Sequence, residues 1–231
     1  MPASQLDVLS PSERIARSLI DDTAALVSPP DVCVKVNQLA ADEHASLEQI
    51  ALVVIRDPNL TARVLKLANS PLYGVSGRVD TITRAVMLLG MGEIQKLVCA
   101  LCAVQSFSRL SSRVTNMNTF WRHAVYTGLA AQALAKRARV LHPERMFVAG
   151  MLHDIGTLLI NHRFPEIAQA TINEAAGDED RLAACELRDL GFDHAFLGGL
   201  MLESWQLPAA LGDAVCWHHL PHRARIAGAD A

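Results

Sequence analysis

From one end of this chain to the other, apolar residues recur at helical spacing, and nowhere is an apolar–polar alternation sustained. Such a pattern leaves packed helices as the way to bury its side chains. Ser12 is expected to cap a first helix that has Glu13 in its first turn and runs to about Leu26, with Pro29-Pro30 as its stop. Spacing resumes over residues 32–41. Ser46, followed by Glu48 and Gln49, opens a helix through Ile50, Val53 and Val54 that ends before Pro58. Asp57-Pro58-Asn59 then turns the chain into a helix over 60–68. A loop over 70–81, punctuated by Pro71, Gly74 and Gly77, precedes helices over 82–89 and 92–110.

The polar residues 111–118 read as a hinge. Beyond it, long helices are expected over 120–137 and 143–153, and shorter ones over 165–175, 181–190, 194–205 and 208–219, with Asp193 capping the one that carries His194. The expected architecture is all-α in two helical lobes, divided as an N-terminal extension (1–27), an N-terminal lobe (28–115) and a C-terminal lobe (116–231). Composition agrees. The chain is 51% hydrophobic but only 5% aromatic, which suits packed helices better than a β-sandwich.

Formal charge is −3, so no general basic field exists to draw in a phosphate backbone, and nucleic acid is not an expected partner. The most apolar stretch, 85–104, is broken by Gly90, Gly92, Glu93, Gln95 and Lys96, and reads as two core helices meeting at a turn rather than a membrane span. Residues 1–7 lack a basic segment followed by an apolar one, so a cytoplasmic location is the expectation. Five cysteines (Cys33, Cys99, Cys102, Cys185 and Cys216) are scattered, and the single Cys99-x-x-Cys102 has no second pair to complete a zinc site. They read as small core residues.

Chemistry concentrates elsewhere. His153-Asp154 interrupts the apolar run Ala149-Gly150-Met151-Leu152, where neither side chain serves packing. With His123 upstream and His194, His218 and His219 downstream, the pair forms a candidate constellation. Imidazole nitrogen and carboxylate oxygen suit iron, manganese, nickel or zinc. Consecutive helix residues point about 100° apart, so His153 and Asp154 reach one ion only near a helix end. The alternative is a set of buried polar residues satisfied by hydrogen bonds. His44 and His142 sit in polar loops, His162 suits a helix C-terminus, and His222 is ambiguous. Trp121, Trp205 and Trp217 read as core or pocket walls, and Asn69-Ser70-Pro71 as a helix stop.

At these residues the chain resembles the HDOD family, helical signalling-output domains of bacteria related to the HD phosphohydrolases. In the first half the resemblance is carried by Ile55-Arg56-Asp57-Pro58 with Leu60, by Leu65-Lys66-Leu67-Ala68-Asn69-Ser70, and by Ile82-Thr83-Arg84-Ala85-Val86-Met87-Leu88-Leu89-Gly90. In the second it is carried by Trp121-Arg122-His123, the run from Ala149 to Gly156, Gly191-Phe192-Asp193-His194 with Gly198, Trp205-Gln206-Leu207-Pro208, and His218-His219. The resemblance assigns His123 to the first ligand position of the HD pattern, His153-Asp154 to its dyad, and His194, His218 and His219 to the extra histidines of the related HD-GYP phosphodiesterases. Three departures weigh against turnover. Thr157 stands where those enzymes hold a lysine, and Leu220-Pro221-His222 replaces their acidic residue and GYP loop. For the terminal aspartate, Asp230 is the one candidate.

The resemblance implies a regulatory module acting on a protein partner in a signalling pathway, without catalysis. Its alternative is a metal-dependent phosphohydrolase acting on a nucleotide or cyclic dinucleotide. A third reading is binding of a metal or nucleotide that biases one conformational state without turnover. With about thirty residues ahead of the match, the chain is expected to be a stand-alone regulator or a domain of something larger.

Overall fold

The computed structural model describes residues 10–27, 31–42, 44–71, 73–74, 77–108, 113–140 and 143–223, apart from the side chains of 24–27 and 144. Every regular element among them is helical: α1 (Pro11–Val27), α2 (Asp31–Ala41), α3 (Leu47–Ile55), α4 (Pro58–Ala68), α5 (Ile82–Leu89), α6 (Met91–Phe107), α7 (Met117–Arg137), α8 (Pro143–Leu152), α9 (Ile155–Arg163), α10 (Pro165–Ala175), α11 (Glu179–Leu190), α12 (His194–Ser204), α13 (Ala209–Cys216) and a 3-10 turn at Pro221–Arg223.

Side-chain caps start most of these helices. Ser46 and Gln49 form a reciprocal capping box ahead of α3, and Asp57, Thr81, Asn116, Asp178 and Asp193 each accept a backbone N–H at the start of α4, α5, α7, α11 and α12. One expectation is corrected. Ser10, not Ser12, caps α1: its hydroxyl accepts from Glu13 N at 3.2 Å while the Glu13 carboxylate accepts from Ser10 N at 2.7 Å. Asn116 likewise begins α7 three residues earlier than the apolar spacing alone predicts.

Helix α6 is the spine. Ile94, Gln95, Lys96, Leu97, Val98, Cys99, Cys102, Ala103, Ser106 and Phe107 are all buried, so it is enclosed on nearly every side. Helices α1, α2, α4, α5 and α8 pack on it, which ties the first half of the chain to the second. Phe107 meets Trp121 and Trp205 at ring-centroid distances of 6.4 and 6.0 Å, so two tryptophans of the second half close over the end of α6. Gly90, at φ 82°, makes the bend between α5 and α6. That bend is 119°, and no single described helix is long and apolar enough to cross a membrane. All five cysteines are free; four are buried and Cys216 is half-buried.

In the second half, α7 lies along α8, α12 packs on α9 and α13, α10 packs on α11, and α1 reaches across to α12. Small residues set these distances. A Cβ on Gly128 would lie 2.7 Å from the Phe147 carbonyl oxygen, and one on Gly156 only 2.1 Å from that of His194. Helices α7 and α8, and likewise α9 and α12, therefore meet backbone to backbone.

Candidate metal centre

Those close crossings bring the histidines together. His153 and Asp154 occupy the two-residue break between α8 and α9, the helix-end position from which both can face one point. His123 comes from α7, His194 opens α12, and His218 and His219 follow α13. Two trios result, His123–His153–Asp154 and His194–His218–His219, and within each the candidate ligand atoms all lie within 4.8 Å of one another.

Asp154 links them. Its Oδ2 is 2.9 Å from His153 Nε2 and 3.3 Å from His123 Nε2; its Oδ1 is 3.4 Å from His194 Nε2 and 3.7 Å from His218 Nε2. One carboxylate thus turns an oxygen toward each trio.

Hydrogen bonds on the far side of the rings fix their direction. His153 Nδ1 donates to the Gly150 carbonyl and His218 Nδ1 to the Val215 carbonyl, each at 2.8 Å. His194 Nδ1 donates to Glu186 Oε2 at 2.7 Å and His219 Nδ1 to Asp180 Oδ1 at 3.1 Å. Carbonyl and carboxylate oxygens accept and do not donate, so Nδ1 carries the proton in all four rings. When neutral, a ring anchored in this way offers the centre its Nε2 lone pair.

Ring nitrogens this close need a proton or a metal cation between them. His194 Nε2 and His219 Nε2 are 3.0 Å apart, and His123 Nε2 and His153 Nε2 are 3.4 Å apart. These spacings resemble those of ligands about 2.0–2.1 Å from a shared ion, which lie roughly 3.3 Å from each other in a tetrahedral set. Asp154 Oδ1 and His218 Nε2 are buried and have no hydrogen-bond partner, as expected of atoms that await an ion. The residues present fit a divalent metal.

Burial disfavours a charged His194, but the Asp154 and Glu186 carboxylates outweigh it and lift the ring to about 10; near pH 7 its Nε2 then also carries a proton, which an incoming ion displaces. Burial drives His218 the other way, down to about 4, which keeps it neutral near pH 7. Burial opposes ionisation of Asp154, yet the His153 and His194 imidazoles beside it hold its carboxyl well below the ordinary range. Solvent reaches the centre from the His123 side: that side chain is 46% exposed, against 1% for His194. Trp121 packs its ring on Phe107 and Phe120.

All six histidine and aspartate candidates of the described chain converge; Asp230 lies outside the described residues, as does His142. His44 and His222 are exposed, and His162 lies in the last turn of α9. Sequence reasoning missed Glu186 and Asp180. For Glu186 a signal existed, since Ala183, Glu186 and Leu190 share one helical face and the carboxylate falls among residues that turn inward.

The chain matches the model of the HDOD domain over residues 26–221. A protein from Shewanella amazonensis, provisionally assigned as a phosphohydrolase, is 30% identical, with a TM-score of 0.74 over 90% of this chain and 73% of that one. An HDOD domain protein of unknown function from Geobacter sulfurreducens is 27% identical, with a TM-score of 0.75 over 91% of this chain and 72% of that one. An uncharacterized protein of Treponema pallidum is 25% identical over 222 residues, which is 94% of this chain and 42% of that relative. The chain therefore spans less than half the length of this relative.

Proposed function

Since the chain belongs to the HDOD family, we propose that it is a regulatory module of a signalling pathway, acting through a protein partner, whose C-terminal helices hold a divalent transition metal. The observation that carries the metal is the convergence of three Nδ1-anchored histidines, His153, His194 and His218, on the Asp154 carboxylate, whose Oδ1 is buried and unpartnered, with His219 beside His194. His123, His153 and Asp154 would hold one ion, and His194, His218 and His219 would hold another with Asp154 between them. Iron, manganese, nickel and zinc all accept this donor set. Regulation without turnover is favoured by Thr157, whose side chain carries no charge, and by the exposed Leu220-Pro221-His222 segment beyond the second trio.

Hydrolysis of a phosphoester is the second reading, and a cavity favours it. A space of 340 Å³ opens beside the second trio, lined by His219, Trp217, Phe196, Gly191 and Arg223 among others. An aromatic wall and a guanidinium suit a nucleotide. A bound ion would supply Lewis acidity and a water of lowered pKa.

Elemental analysis of tag-free protein beside His153→Ala and Asp154→Ala tests the metal. Near-stoichiometric metal that both variants lose supports it, and metal-free protein that gains no stability from added ions refutes it. Release of phosphate or of one phosphoester bond from nucleotides and cyclic dinucleotides by the loaded protein, lost in Asp154→Ala, would replace the regulatory reading with the enzymatic one.

A further inference from the structure

The two trios differ in how their charge is balanced. His123, His153 and Asp154 include an anionic ligand, and the anchor behind His153 is a neutral carbonyl. His194, His218 and His219 include no anionic ligand, yet two of them stand on carboxylates. Glu186 Oε2 accepts twice from one residue: from His194 Nδ1 at 2.7 Å and from His194 N at 2.8 Å. Its side chain is 3% exposed and that of His194 1% exposed. A buried carboxylate is costly unless charge and hydrogen bonds answer it. On the opposite flank Asp180 holds His219 Nδ1 at 3.1 Å from an 89% exposed position.

We infer that Glu186 and Asp180 are positioning residues that supply, from behind the rings, the orientation and counter-charge with which His194, His218 and His219 hold a cation of their own; the inference rests on the metal reading above. Neither carboxylate reaches the ion. Glu186 fixes both the backbone and the ring of His194, so Nε2 is aimed at Asp154 Oδ1 and His219 Nε2 by one atom. Burial makes Glu186 the stronger of the two, since its field is little screened, whereas water screens Asp180. Outer carboxylates of this kind, when removed, typically cost about 10–100-fold in metal affinity.

Chelator-stripped, tag-free protein titrated with cobalt(II), followed by visible absorption and elemental analysis, tests this. Glu186→Gln is the informative variant, because its amide oxygen can still accept both His194 N–H groups while the charge is gone. The wild type is expected to load both trios. Glu186→Gln should load the first trio normally and bind at the second about 10–100-fold more weakly, with an unchanged circular dichroism spectrum. Asp180→Asn, at an exposed position that leaves the fold untouched, should weaken the same trio by less. His123→Ala should do the reverse and spare the second trio, which tells the two sites apart in the spectrum. Wild-type cobalt affinity at both sites in Glu186→Gln and Asp180→Asn would overturn the inference, as would a loss shared equally by the two trios. If wild-type protein takes up no cobalt, the metal reading fails and this inference with it.

Discussion

Gly150 of α8 faces Gly128 of α7 so closely that a Cβ built on Gly150 would lie 3.0 Å from the Gly128 Cα. This crossing holds His123 opposite His153. A methyl group on Gly128 would also meet the Phe147 carbonyl oxygen at 2.7 Å, a backbone atom that cannot swing away. Gly128→Ala is therefore expected to cost about 1–3 kcal/mol as overpacking and to lower Tm by roughly 2–4 °C per kcal/mol in a chain of this size. It should also weaken metal uptake, because the helices must part where the ligands meet. Gly212 in α13 is the contrast: the nearest atom to its added Cβ is 3.8 Å away. Gly212→Ala should be neutral or stabilise by up to about 1 kcal/mol through helix propensity. Thermal unfolding of the two variants checks both, and an equal loss in each would refute the crossing argument.

Lys96 carries a second prediction. It is buried on α6 and ion-paired to Glu93, with its ammonium 4.9 Å from the centroid of the Phe147 ring on α8. Glu93 in turn accepts from Tyr73 Oη at 3.3 Å and from Gln132 Nε2 at 3.2 Å. These groups join the loop after α4 to α6, α7 and α8. Lys96→Met removes one charge and leaves Glu93 with neutral donors only, so a loss of about 2–4 kcal/mol is expected, somewhat under the figure for a fully buried pair because Glu93 is partly exposed. Adding Glu93→Gln to that background should restore much of the stability. A double-mutant cycle in urea measures the coupling; additive losses would show that the pair does not act as a unit.

The α1 cap has a pH dependence whose sign is fixed. Hydrogen bonds from Ser10 hold the Glu13 carboxyl below its ordinary value of 4.5. A depressed carboxyl pKa contributes stability above the unfolded value and loses it as pH falls through the folded one. Ser10→Ala should cost about 1 kcal/mol; the Ser10 backbone N–H that the Glu13 carboxylate accepts survives in that variant, so the part of the cap that fades below about pH 4 is read in Glu13→Gln, whose deficit relative to wild type should shrink there. Ser12→Ala should do little at any pH. Equal effects of the two serine variants in a pH series of melting curves would return the cap to Ser12.

Much of this molecule is written in local pattern. Residues 82–89 and 165–175 form helices at the positions their spacing predicts, because caps, prolines and apolar faces act within a turn or two. The cap at Ser10 was missed although Pro11 at the first helical position and Glu13 three residues after Ser10 both mark it. The six metal-type residues were legible because histidines and a carboxylate stand out in apolar surroundings. Their partners were not. Glu186 lies eight residues from His194, and Asp180 lies 39 from His219, distances at which only the packing of α11 against α12 and against the segment after α13 decides what meets. The two-trio arrangement was equally invisible, since it depends on the Gly128 and Gly156 crossings.

The exposure difference within the centre separates ligand roles from folding roles. His123 is 46% exposed at its side chain, and His194 is 1% exposed. In chelator, His123→Ala removes little that the fold needs, and a change within about 0.5 kcal/mol is expected. His194→Ala opens a cavity in the core and leaves the Glu186 carboxylate without its ring donor, so about 3–5 kcal/mol should be lost. With metal present His123→Ala acquires a deficit of its own. An ion at 100 times its Kd stabilises the folded state by about 2.7 kcal/mol, and His123→Ala should forfeit that gain at the first trio while melting like wild type without metal. Paired melting curves in chelator and in excess metal read both effects. A His123→Ala protein already destabilised in chelator by as much as His194→Ala would make His123 a structural residue and remove it from the ligand set.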